Sequence, residues 1–75
     1  PRHRLWVRLP AKETPAVRRI ELILQMFPGD EQLVLVFEDT GRRAAARCCV
    51  HPALVEELRS LAGQGNVAVT EEKTR

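Results

Sequence analysis

The sequence predicts an α+β fold: a βαββαβ ferredoxin-like two-layer sandwich, with a four-stranded antiparallel sheet and two helices on one face. Three observations carry this expectation. His3 to Leu9 alternates apolar and polar residues, the period of a half-buried strand. Two segments opened by proline, Pro15 onward and Pro52 onward, carry apolar residues at helical spacing. Between them lie two strand-like runs around Asp39-Thr40-Gly41, a short loop with glycine available for positive φ. The order strand, helix, strand, strand, helix, strand is that of a split βαβ sandwich.

In the first strand Leu5, Val7 and Leu9 share one face, and Arg4, Trp6 and Arg8 share the other. Pro10 ends it. Thr14 supplies a hydroxyl at the N-cap position and Pro15 occupies the first helical turn, where a missing N–H is harmless. Val17, Ile20, Ile23, Leu24 and Phe27 then form a core stripe, and Pro28-Gly29 stops the helix. Leu33 to Phe37 is apolar throughout, as in a strand buried on both faces. The return strand, Ala44 to Val50, alternates Ala44, Ala46, Cys48 and Val50 against Ala45, Arg47 and Cys49. Pro52 to Ala62 is the second helix, with Leu54, Leu58 and Leu61 as its buried row and Gly63 as its C-cap. Val67 to Val69 forms a last short strand. The chain is expected to be one small domain, 1–75, ordered over about 3–70, with a charged tail at 71–75 that frays.

Seventy-five residues with 44% apolar content make one folded domain with a small core. Net charge is +2, from 12 Lys+Arg against 10 Asp+Glu, a balance that does not demand nucleic acid. The basic residues are uneven: Arg2, Arg4, Arg8, Lys12, Arg18 and Arg19 fall in the first nineteen positions, with Glu13 the single acid there. No apolar run is long enough to span a bilayer, and no signal-peptide pattern is visible. Cys48 and Cys49 are adjacent, so on a strand they point apart and do not bridge, which suits a reduced, intracellular setting.

No catalytic arrangement is legible. There is no nucleophile elbow, phosphate loop or carboxylate pair. Gly63-Gln64-Gly65 follows a helix, the wrong context for a dinucleotide fingerprint. Ser60, the single serine, has no histidine at close spacing. Cys48, Cys49, His51 and His3 lack the separated pairs that bring ligands onto one metal ion, so neither metal nor cofactor is expected, and His51 before Pro52 reads as a helix cap. Trp6 between Arg4 and Arg8 is a candidate contact residue, since Trp and Arg are enriched at interface hot spots. It also suits base stacking, but the return strand carries no aromatic, so the aromatic pattern of RNA-recognition modules is missing. Leu22 and Met26, four residues apart outside the core stripe, form an alternative docking strip on the first helix.

These residues resemble the C-terminal domain of the bacterial DNA polymerase III alpha subunit, the replicative polymerase chain. The resemblance runs from about Leu5 to Val69. It is carried by Leu5-Trp6-Val7-Arg8-Leu9, the turn Phe27-Pro28-Gly29-Asp30, the strand with Leu33, Leu35 and Phe37, the hairpin glycine Gly41, and the pattern Val50, Pro52, Leu54, Leu58, Leu61, Gly63, Val67 and Val69. The sequence departs from the family in its alanine- and cysteine-rich return strand. The absence of an initiator Met at Pro1 fits a domain cut from the end of a longer chain.

The resemblance implies a non-catalytic protein-interaction module in DNA replication. The nucleotidyltransferase centre of such polymerases lies upstream, and the C-terminal region docks the clamp-loader tau subunit and so tethers the polymerase among other replisome proteins. It implies a bacterial cytoplasmic setting at the replisome and nucleoid, no membrane, and a monomeric isolated domain. On physical grounds the expected anchors are Trp6, Val34 and Val36 on the open sheet face, with Arg4, Arg8 and Arg47 as rim. Two alternatives stay open: an auxiliary domain making a weak single-stranded DNA or RNA contact through Trp6 and the arginines, with steep salt dependence, and a small-ligand regulatory domain, for which no convergent polar cluster is visible.

Overall fold

The computed structural model describes residues 2–12 and 14–72. Strand β1 (Arg2–Leu9) is followed by helix α1 (Pro15–Leu24), strands β2 (Glu31–Phe37) and β3 (Arg43–Cys48), helix α2 (Pro52–Ala62), a 3-10 turn (Gln64–Asn66) and strand β4 (Val67–Glu72). The strands form one sheet in the order β3-β2-β1-β4. Leu5, Val7 and Leu9 of β1 and Leu33, Leu35 and Phe37 of β2 pack in one core with Ile20 and Leu24 of α1 and Leu54, Val55 and Leu58 of α2. Both helices therefore lie on one face of the sheet. The fold is α+β.

The expected antiparallel sheet is corrected. β1 and β2 are adjacent and parallel, while β1–β4 and β2–β3 are antiparallel, so the sheet is mixed. In a split βαβ unit another strand would separate the two parallel ones. Side-chain content explains why none does here. A strand inserted between β1 and β2 would be central, with side chains packed on both faces, and β3, with sequence RAAARC, offers only alanines, two arginines and a cysteine. β2 has five consecutive apolar residues, the composition of a central strand in parallel pairing. It takes the centre beside β1, and β3 goes to the edge.

The return strand spans Arg43–Cys48 rather than Ala44–Val50, and local details also differ from expectation at Thr14, at Phe27 and in the last strand. Thr14 sits at the N-cap of α1 with extended backbone, but its hydroxyl makes no capping bond. Its Oγ1 is buried without a partner. Pro15 has no N–H to cap, and the Val17 N–H bonds the Thr14 carbonyl at 3.2 Å instead. Phe27 lies beyond α1, half-buried against the core, where its carbonyl accepts the Cys49 N–H at 2.7 Å. The expected fray at 71–75 is corrected in part, because Glu71 and Glu72 pair with His3 and Arg2 in β4; positions 73–75 lie outside the described residues. The hairpin glycine Gly41 has φ 72 and the C-cap Gly63 has φ 98. No helix among the described residues is long and apolar enough to cross a membrane.

Candidate functional site: the open face of the sheet

The face opposite the helices is built in rows by the strand register. The central row runs Ala45, Val34, Trp6, Ala68 across the four strands. On one side of it lies Arg47, Gln32, Arg4, Thr70, and on the other Arg43, Val36, Arg8. The period of two that buries Leu5, Val7 and Leu9 therefore gathers Arg4, Trp6 and Arg8 with Val34, Val36 and Arg47 on one surface. All six expected contact residues share this face.

Trp6 is the fixed point of the face. It is half-buried, and its indole N–H donates to Thr70 Oγ1 at 3.0 Å, whose hydroxyl in turn reaches the Arg4 carbonyl at 3.4 Å. A half-buried indole whose N–H is bonded is held in one orientation. The Arg4 guanidinium carbon stands 5.5 Å from the ring centroid and that of Arg43 5.9 Å, both within cation–π range. Arg8 donates through Nε and Nη2 to Asn66 Oδ1 at 3.1 and 3.0 Å, and its Nε lies 3.9 Å from the Glu38 carboxylate.

Two residues stand differently from expectation. Val34, proposed as an anchor, is only 9% exposed; it supports the face from beneath, and a partner cannot gain much by covering it again. Arg43 was missed because the return strand was expected to begin at Ala44, although its spacing of four from Arg47 puts it on the same face of a strand. Cys49 lies past the end of β3 and is exposed, while Cys48 is buried and both are free thiols. Burial, helped by the negative charge of Glu31, pushes the Cys48 thiol up to about 11. Among the described residues no group of three or more His, Cys, Asp or Glu side chains is placed to hold a metal ion. His51 caps α2, its Nδ1 accepting the Ala53 N–H at 3.0 Å, as its position before Pro52 suggested.

The alternative strip is exposed, with Leu22 at 58% and Met26 at 77%. Only Leu22 lines the shallow groove between α1 and α2, with Arg19, Ile23, Glu57, Ser60 and Leu61.

A cluster at one end of the sheet was not visible in the sequence. The Glu31 carboxylate accepts the His3 backbone N–H at 2.6 Å, the Val50 backbone N–H at 3.0 Å and the His3 Nδ1–H at 3.1 Å. It joins the starts of β1 and β2 to the segment leading into α2. The backbone N–H of His3, then that of Val50, hold this carboxyl below its usual range. Nothing about a glutamate at the start of a strand signals such a role before the register is known.

The fold and face together define a small α+β domain whose arginine-rich sheet face around Trp6 is covered by neither helix. Comparisons with protein-family models, with curated proteins and with solved structures return no significant match.

Proposed function

We propose that the chain is a non-catalytic protein-interaction module of a bacterial replicative DNA polymerase, akin to the C-terminal domain of the polymerase III alpha subunit, and that its open sheet face docks the clamp-loader tau subunit. The observation that carries the docking reading is Trp6: half-buried, held by Thr70 and ringed by guanidinium groups on a face that neither helix covers. A rigid aromatic within a charged rim is the composition of an interface hot spot. The motif resemblance from Leu5 to Val69 supports the polymerase setting.

The test is binding of a tau-type clamp-loader subunit measured by calorimetry. Trp6→Ala combined with Val36→Asp removes the anchor and charges the row beside it, and it touches no core residue of the helix-bearing face. Loss of a hot-spot aromatic weakens binding by ~30-fold or more, about 2 kcal/mol. Parental affinity in a double variant with an unchanged circular dichroism spectrum would rule out the open face as the docking surface.

Single-stranded nucleic acid is the second reading, favoured by the arginines at 2, 4, 8, 43 and 47 that share the face parity. The two separate by salt: phosphate contacts weaken linearly with log salt, whereas an anchor-centred protein contact changes little.

A further inference from the structure

β3 is an edge strand, and its free side has a defined register. The Phe37 N–H donates to the Arg42 carbonyl at 2.9 Å, and these residues continue the β2–β3 pairing in which Leu35 faces Ala44 and Leu33 faces Ala46. In an antiparallel ladder, bonded and non-bonded pairs alternate. The bonded pairs are therefore those of Ala44, Ala46 and Cys48. Arg43, Ala45 and Arg47 turn their backbone N–H and C=O groups outward, and all three are exposed. Their side chains also point to the open face, so each backbone site on the free edge is paired with one side chain there.

We propose that this edge accepts an extended acidic segment of a partner protein as a fifth strand, with carboxylates opposite Arg43 and Arg47 and a small apolar side chain opposite Ala45. This deepens the docking reading by giving the partner's chemistry, acid-x-apolar-x-acid, and adds strand pairing to the anchor at Trp6. Charge selects the occupant. A second copy of the chain, pairing antiparallel through the same edge about Ala45, would set Arg43 against Arg47 twice, and like charges directly opposite are destabilising. The same arginines that bar self-pairing, a common guard on natural edges, favour carboxylates at those two positions. A nucleic acid satisfies guanidinium groups but offers no backbone to match alternating N–H and C=O groups.

The test is an amide-shift titration of the isotope-labelled chain with the capped heptapeptide Ser-Glu-Thr-Val-Thr-Glu-Ser, its counterpart with Lys in place of Glu, and a thymidine oligonucleotide. The acidic peptide should move the Arg43, Ala45 and Arg47 amides most. It should bind at least about threefold more tightly than the lysine peptide, the scale of two cross-strand charge pairs. Arg43→Glu with Arg47→Glu should reverse that preference. Ala45→Pro removes one outward donor and no bond to β2, a position where edge strands tolerate proline, and should weaken the acidic peptide without unfolding the chain. Equal binding of the two peptides, shifts centred away from β3, or displacement of the acidic peptide by the oligonucleotide from the β3 amides would each overturn the proposal. Tau binding that survives Trp6→Ala with Val36→Asp, while the peptide still requires the β3 arginines, removes the Trp6 reading and leaves this one standing.

Discussion

Glu31→Gln should destabilise the fold at neutral pH far more than its position at the start of a strand suggests. The carboxylate is 21% exposed and spans three partners, with the His3 N–H at 2.6 Å and His3 Nδ1–H at 3.1 Å on one oxygen and the Val50 N–H at 3.0 Å on the other. A hydrogen bond to a charged acceptor contributes roughly 1.5–3 kcal/mol. The amide keeps one oxygen and turns an NH₂ toward the other donor, so about 1–2 kcal/mol should be lost. Glu31→Ala, which removes both acceptors from two half-buried backbone donors, should lose about 2–4 kcal/mol. For a domain of this size each kcal/mol moves Tm by about 4–8 °C, which makes the alanine variant's shift about 10 °C or more. The pH dependence has a fixed sign. The folded-state pKa lies below the unfolded value, so the stabilisation is fully present above the ordinary carboxylate range and is lost as pH falls through the lowered folded value. The gap between parent and Glu31→Gln should therefore close in acid, where the protonated parent resembles its amide. Urea unfolding across the acid range reads this directly. A gap below about 0.5 kcal/mol at neutral pH, the scale of an ordinary surface change, or a gap that does not narrow in acid, would refute this role of Glu31.

Two further perturbations test the same end of the molecule. Gly29→Ala should cost about 1–3 kcal/mol by overpacking, because the added Cβ would stand 2.8 Å from the Cys48 carbonyl oxygen and 2.9 Å from the Cys49 Cα, backbone atoms that cannot swing aside; a thermal melt matching the parent would show that the Phe27–Gly29 turn is not seated there. The two thiols should differ in the native chain: Cys48 is fully buried with its pKa raised to about 11, and Cys49 is exposed. Iodoacetamide should modify Cys49 alone until urea opens the core, and rapid native labelling of both, read by mass spectrometry, would contradict the buried placement of Cys48.

Element positions were legible because each had a local cause. The period of two in β1, prolines at both helix starts and glycines at the hairpin and the second helix end act within a few residues, and the structure returns α2 with the expected bounds, Pro52–Ala62. Strand pairing differs from the expected split order, although its cause lies in the composition of β2 and β3. An element order alone is compatible with both split and adjacent βαβ pairing, and choosing between them requires asking which strand can fill a central position on both faces. Val34, buried at 9% on the face away from the helices, shows what a central strand requires, and Ala44 and Ala45 of β3, both exposed, show why β3 cannot supply it. A central β3 would have had no free backbone, and Arg47 would have been one charge within a continuous face. With β3 at the edge, Arg43 and Arg47 flank a row of outward N–H and C=O groups, so the alanine-rich strand is the one whose charges favour an acidic strand over a second copy of the chain.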